Sequence, residues 1–331
     1  MSLFVKKPLD QMLAQAEAGE KGLKRTLGAA NLVALGIGAI IGAGLFVRTA
    51  AAAGQAAGPA VTLSFIVAAI GCAFAGLCYA EFAAMIPIAG SAYAYSYVTM
   101  GELIAWIIGW ALIMEYALGA ATVSIAWSEY LNKLLGGAIP YEWSHSPFES
   151  FTDAAGVAHQ GIINAPALII LLLLTLLLIK GTQESAVVNA IIVFIKVAIV
   201  VLFIIIGWQF INPDNHTPYF IPEGTKPVVD AAGKELANYD GVFKHGWGGV
   251  LGGAAIVFFA FIGFDAVSTA AQEAKNPKRD MPIGILGSLV VCTILYILFG
   301  HVLTGVAPWT DFVDPTKGRE ASVAYAISQY M

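Results

Sequence analysis

The sequence predicts an all-α, polytopic membrane protein, and three observations carry that prediction. Of its 331 residues, 58% are hydrophobic and only 12% are charged, where ordinary soluble domains carry about 45–50% apolar and about 25% charged residues. The mean hydropathy is +0.77. The apolar residues also gather into runs long enough to cross roughly 30 Å of hydrocarbon, for which a helix needs about 20 residues. This balance excludes a disordered chain, a nucleic-acid binder with a basic face and a disulfide-stapled secreted module. The formal net charge of −5 implies no polyanionic partner. Cys72, Cys78 and Cys292 are odd in number and lie inside apolar runs. They read as small core residues, not as a metal site or a disulfide framework.

Spans are expected near 29–53, 59–85, 102–132, 163–180, 187–211, 249–272 and 282–306, with an eighth beginning around Ser322 and cut off at Met331. The first run starts only after Lys21, Lys24 and Arg25, which is not how a cleaved signal peptide is built. Orientation follows the lysines and arginines of the loops. With the N-terminus inside, Lys6, Lys7, Lys21, Lys24, Arg25, Lys180, Lys275, Lys278 and Arg279 are cytoplasmic. Lys133, Lys226, Lys234, Lys244, Lys317 and Arg319 are then outside, nine against six. The bias strengthens near the spans, because Lys226 and Lys234 share a long loop with Asp214, Glu223, Asp230, Glu235 and Asp240. Residues 1–28 thus form a cytoplasmic segment, 29–211 a first set of five helices, 212–248 an extracellular loop and 249–331 the start of a second set. The Pro- and aromatic-rich loop 136–162 is also placed outside. In EAKNPKRDM, 273–281, and at Pro282, the residues before the prolines disfavour helix, so a tight cytoplasmic turn precedes a new helix start. The uncharged aromatic stretch 86–101 is expected to lie partly in the membrane interface.

The first and sixth spans carry interruptions. The first reads GIGAIIGAGLFV at 36–47, with Gly36, Gly38, Gly42 and Gly44 crowded together. Each glycine costs about 1 kcal/mol against alanine in a helix interior. Two readings stand: close packing through the small-xxx-small pair Gly38 and Gly42, or unwinding at Gly42-Ala43-Gly44. The sixth span reads GGAAIVFFAFIGFDAVS, with Gly263 in its middle and Asp265 two residues beyond. Ionisable residues inside a membrane are rare and usually face a cavity. Suspect helices five apart are the pattern of an inverted repeat whose discontinuous helices meet at a binding site. A broken helix offers bare N–H groups at one end and bare carbonyls at the other. Together they make a receptor for a zwitterion, and an α-amino acid is the obvious one.

The segments GIGAIIGAGLFV at 36–47, PIAGSAYAY at 87–95, KGTQESA at 180–186, FFAFIGFDA at 258–266 and EAKNPKRDMPIGI at 273–285 together resemble the amino acid–polyamine–organocation transporters, and among them the bacterial branch of the cationic amino acid transporter family. The resemblance runs through nearly the whole chain in order. It implies a leucine-transporter-like five-plus-five inverted repeat with discontinuous first and sixth helices, and amino acid uptake by alternating access. Ten core spans are implied, so the second repeat is incomplete in this chain. The resemblance further implies that the substrate carboxylate rests on the amides of Gly42, Ala43 and Gly44. Its ammonium is implied to meet carbonyls at Ile40, Phe259, Ala260 and Ile262. Ile41, Phe258, Phe261 and Gly263 complete the two segments, and Phe259, or its neighbour Phe258, covers the substrate.

The charged residues within spans include Lys196, Glu115, Asp265 and Arg48. Lys196 is about 14 Å into the fifth and Gly42 about 20 Å into the first, at 1.5 Å per residue, so both sit near the midplane. Lys196 is either a permanent cation holding the first-span break or a group that gains and loses a proton each cycle. The lysine of proton-coupled members of the resembled family is similarly placed, which implies the second. Glu115, near the centre of the third span, is either hydrogen-bonded between helices or a pocket acid facing a cationic substrate. Asp265 resembles an acidic residue implicated in proton-linked gating. Arg48 is expected to be structural, snorkelling to the interface, and His301 to be a packing residue. Glu81, Glu102 and Glu273 sit at helix ends facing the cytoplasm.

No catalytic constellation occurs: GxSxG, GxxxxGK[ST], HExxH and CxxC are all missing. The expected function is that of a non-enzymatic secondary transporter of the plasma membrane, with no cofactor and no bound metal. It would carry L-amino acids, small neutral ones such as alanine or cationic ones such as arginine, in symport with protons. Exchange without net proton flow and substrate sensing without transport remain as alternatives. The expected partners are the amino acid, the proton and the lipid bilayer; nucleic acid is not expected, and the sequence names no protein partner.

Overall fold

A computed structural model describes residues 4–17, 25–152, 157–180, 182–229, 233, 235–314, 317–319 and 321–331. Lys21, Lys24, Gly181, Asp230 and Lys234 lie outside the described residues. In lipid every backbone polar group must be satisfied internally, and the apolar runs accordingly form helices. Five are long and apolar enough to cross a membrane: Gly44–Met85, Glu102–Leu134, Ile191–Phe210, Gly246–Glu273 and Pro277–Val306. Ala29–Ile40 and Ala165–Ile179 are shorter apolar helices. The helix Glu102–Leu134 leaves Trp106, Trp110, Ile113, Met114 and Leu118 exposed, the surface expected of a helix with a lipid-facing side.

The structure corrects some expectations and adds detail to others. The fold is mostly but not wholly α. Two loops close into antiparallel ribbons, Ser150–Thr152 with Ala158–Gln160 and Val228–Val229 with Glu235–Ala237. A loop outside the hydrocarbon can pair strands with itself, and no periodic pattern announces a ribbon this short. The seventh span begins at Pro277 rather than 282, and its helix absorbs Pro282. Pro277 stands at the first helical position, where the missing N–H is no loss. The stretch 86–101 contains a helix, Ser91–Thr99. Cys72 and Cys292 are buried as expected, but Cys78 is exposed.

The chain forms two compact units, and each draws on both the early and the late spans. One comprises Met1–Ile41, Ala69–Gly119 and Phe261–Ile294. In it, the Leu27 amide donates to the Glu273 carbonyl at 2.9 Å and the Lys275 amide to the Leu27 carbonyl at 2.8 Å. That bridge lays the helix Ala29–Ile40 along the 3-10 segment Asp265–Glu273. A side chain at Gly36 would collide with Ser288, and one at Gly284 would come within 2.7 Å of Leu32. Tyr79 packs its ring on Tyr95 and Phe264.

The other unit comprises Gly42–Ala68, Ala120–Ala260 and Leu295–Met331. Gly44–Arg48, Thr49–Ala52 and Ala53–Ala57 wind as π, α and π turns in succession, so the first span runs past the expected residue 53. Gly58, with φ +59°, then turns the chain toward Val61–Met85. Gly253 leaves room for Ser64, whose hydroxyl donates to the Val250 carbonyl at 2.9 Å. The Phe46 carbonyl accepts from Tyr130 at 3.2 Å and from Ser322 at 2.8 Å. From the long loop, Tyr239 donates to the Gly54 carbonyl at 2.6 Å.

Candidate functional site

The first span is interrupted where the sequence crowds glycine. The helix Ala29–Ile40 ends at Ile41, which is extended (φ −70°, ψ 113°) and whose amide donates back to Ile37 at 3.0 Å. The ladder resumes with the amides of Leu45 and Phe46, both donating to the Gly42 carbonyl, at 3.0 and 3.5 Å. The amides of Gly42, Ala43 and Gly44 fall between, and among the described residues they make no backbone hydrogen bond. Ile40 and Ile41 are 2% and 0% exposed, so the end of the first half is anchored by its side chains.

Of the two readings of the glycines, the interruption falls at Gly42-Ala43-Gly44, and Gly42 itself makes no close packing contact. A Cβ at Gly42 would meet nothing within 4 Å, whereas one at Gly44 would run into the Ala260 backbone. Gly36 makes another close approach, to Ser288.

The sixth span is interrupted too. The α-helix Gly246–Val257 tightens into a 3-10 turn at Phe258–Phe261, breaks at 262–264 and continues as the 3-10 segment Asp265–Glu273. Gly263 has φ +112°, and a Cβ there would lie 2.6 Å from the Ala39 carbonyl oxygen. Strain and contact together require glycine. In each compact unit a segment of the first span therefore touches one of the sixth: Ala39 with Gly263 in one, Gly44 with Ala260 in the other.

The structure separates the two phenylalanines. Phe258 is exposed, while Phe259 is half-buried with the Arg48 guanidinium over its ring, 5.4 Å from the centroid. The charge of Arg48 docks on an aromatic face, an attraction available within about 6 Å. The Ala260 carbonyl already accepts from Tyr296 at 2.9 Å, which leaves it one further lone pair. Phe261 is buried and Ile262 half-buried.

Asp265 is 5% exposed and accepts from the Tyr116 hydroxyl at 2.7 Å. Glu115 is half-buried beside Tyr116 in sequence, and Lys196 is half-buried on the helix Thr182–Gly207. Arg48, Tyr116 and Tyr296 were missed as site residues. Arg48 stands four residues past Gly44 and Tyr116 next to Glu115, so both had a positional signal; Tyr296 had none. His301 does pack as expected, stacked on His216 with ring centroids 4.6 Å apart.

Long apolar helices, two of them interrupted, are those of an integral membrane protein. The family described as amino acid permease matches residues 27–329. The chain is 46% identical over 308 residues to the methylthioribose transporter of Bacillus subtilis, covering 93% of this chain and 60% of that protein. It is 46% identical over 313 residues to the branched-chain amino acid permease BcaP of the same organism, covering 94% and 61%. It is 34% identical over 309 residues to cationic amino acid transporter 4 of Arabidopsis thaliana, described as vacuolar, covering 93% and 48%. The chain belongs to the amino acid permease family of the amino acid–polyamine–organocation superfamily. Its relatives are named transporters or permeases, not enzymes, and it spans about 60% of the length of the two Bacillus proteins.

Proposed function

We propose that this protein is a secondary active transporter that carries L-amino acids in symport with protons by alternating access. It is read as a leucine-transporter-like five-plus-five inverted repeat in the plasma membrane, N-terminus cytoplasmic. The observation that carries the reading is the run of three amides at Gly42, Ala43 and Gly44 that opens the second half of the first span. Such a helix start favours negative charge, and a substrate carboxylate supplies it. Carbonyls at the two breaks, at Ile40, Phe259, Ala260 and Ile262, are assigned to the ammonium, and Phe259 to the cover over the substrate.

Lys196 and Asp265 are assigned to proton coupling, since both are intramembrane groups, the class of residue that marks proton relays. Glu115 stands as a pocket acid if cationic amino acids compete, and as a carboxylate hydrogen-bonded between helices if only neutral ones do. The test is uptake of labelled leucine or alanine by the full-length protein in liposomes. An inward proton gradient alone should drive accumulation, and Lys196→Ala should abolish that accumulation while leaving substrate binding partly intact. Accumulation that needs internal substrate would select exchange, and binding without uptake would select sensing. Because one relative is named for methylthioribose, that sugar belongs in the competition series. If it competes and amino acids do not, the zwitterion site is wrong, for the sugar has neither carboxylate nor ammonium.

A further inference from the structure

We propose that Arg48 sets the substrate class of this transporter by excluding amino acids with cationic side chains and admitting those with neutral ones. This rests on the reading above, in which the Gly42 to Gly44 amides hold the carboxylate. Arg48 ends the π-helical segment that Gly44 opens, four residues on and so about one turn away. Gly44 lies against Ala260, and Phe259, the residue before Ala260, is the ring on which the guanidinium docks at 5.4 Å. The charge therefore lies over the segment that borders the bare amides.

It is half-buried, and among the described residues Arg48 forms no ion pair. A substrate side chain that extends from that site toward Arg48 and ends in an ammonium or guanidinium would meet a like charge in partly desolvated space. At the effective dielectric of such places this costs affinity on the order of tenfold or more. An aliphatic side chain is indifferent to the charge. The α-ammonium is common to all amino acids and cancels from the comparison.

The test uses the full-length protein in liposomes, labelled leucine, and competition by norleucine and lysine, which differ in shape chiefly by the terminal ammonium. Wild type should be inhibited by norleucine at least about tenfold more strongly than by lysine. Arg48→Gln and Arg48→Met should narrow that gap by about tenfold, and Arg48→Lys should keep it, with thermal melting as the check on folding. Lysine competing as well as norleucine in wild type would overturn the inference without any variant. So would an unchanged gap in a folded Arg48→Gln protein that still takes up leucine. Absence of leucine uptake by wild type would overturn the transport reading, and the inference with it.

Discussion

The Tyr116 hydroxyl donates a 2.7 Å hydrogen bond to the Asp265 carboxylate, joining two residues 149 positions apart in the chain. Asp265 opens the 3-10 segment that follows the break at Gly263, so the bond secures the backbone beside an interruption. Asp265 is buried, and removing the donor to a buried acceptor leaves it short of solvation, at a cost of about 1–3 kcal/mol. Tyr116→Phe should lower the melting temperature of the purified protein in detergent by that amount of stability. Asp265→Asn, which still accepts a hydrogen bond, should lower it less. Equal melting of Tyr116→Phe and wild type would show that the bond contributes nothing.

Two glycines two residues apart should respond oppositely to the same change. Gly44→Ala drives a methyl group into the Ala260 backbone, which has no flexible end to yield. It should cost about 1–3 kcal/mol as overpacking does and abolish uptake. Gly42→Ala meets open space and should fold and melt like wild type. A Gly44→Ala protein with full uptake would break the packing argument.

Asp311, 6% exposed, accepts from Lys317 at 3.0 Å, Tyr325 at 3.0 Å and Tyr330 at 2.7 Å. The hydrogen bond to Asp311 holds the Lys317 ammonium above the usual lysine range. A raised folded pKa contributes stability that is complete below the unfolded lysine value and is lost only as pH rises through the folded one. The cost of Lys317→Ala in thermal melts, about 0–1 kcal/mol because the lysine itself is half-exposed, should therefore be the same at every pH between 6 and 9. Asp311→Ala strips two tyrosine hydroxyls of their acceptor as well, and should cost clearly more in the same melts.

His216, outside the spans, stacks on His301 and reaches its carbonyl at 3.2 Å, with Thr304 at 3.4 Å. Burial pushes its pKa below the ordinary histidine value, against a smaller opposing effect of that hydrogen bond. A depressed histidine is held neutral in the fold, so the unfolded state binds more protons in that range. The attachment of this segment is complete above the unfolded pKa, about 6.5, and weakens as pH falls through the folded one. The protection of amides across residues 211–221, taken against the intrinsic exchange rate at each pH, should fall on acidification from pH 7.5 to 5, and His216→Gln should flatten the response. Protection independent of pH would remove this role.

Where the chain crosses the membrane was legible in the sequence because lipid imposes a local rule: about twenty apolar residues and a self-satisfied backbone. The segments 102–132 and 163–180 reappear as Glu102–Leu134 and Ala165–Lys180. The interruptions were legible too, since Gly42-Ala43-Gly44 and Gly263 weaken a helix by their own chemistry. The short ribbon at Ser150–Thr152 and Ala158–Gln160 gave no such sign, because three residues carry no period.

What the chain alone determined is the set of apolar rods and the two points at which their ladders fail. Tertiary structure decided what each exposed group meets: Gly44 and not Gly42 touching Ala260, Phe259 and not Phe258 beneath a guanidinium, Asp265 held by Tyr116. Helix-breaking and hydropathy are properties of neighbours along the chain. Contact between residues two hundred positions apart depends on how whole helices pack, and no window of sequence contains it.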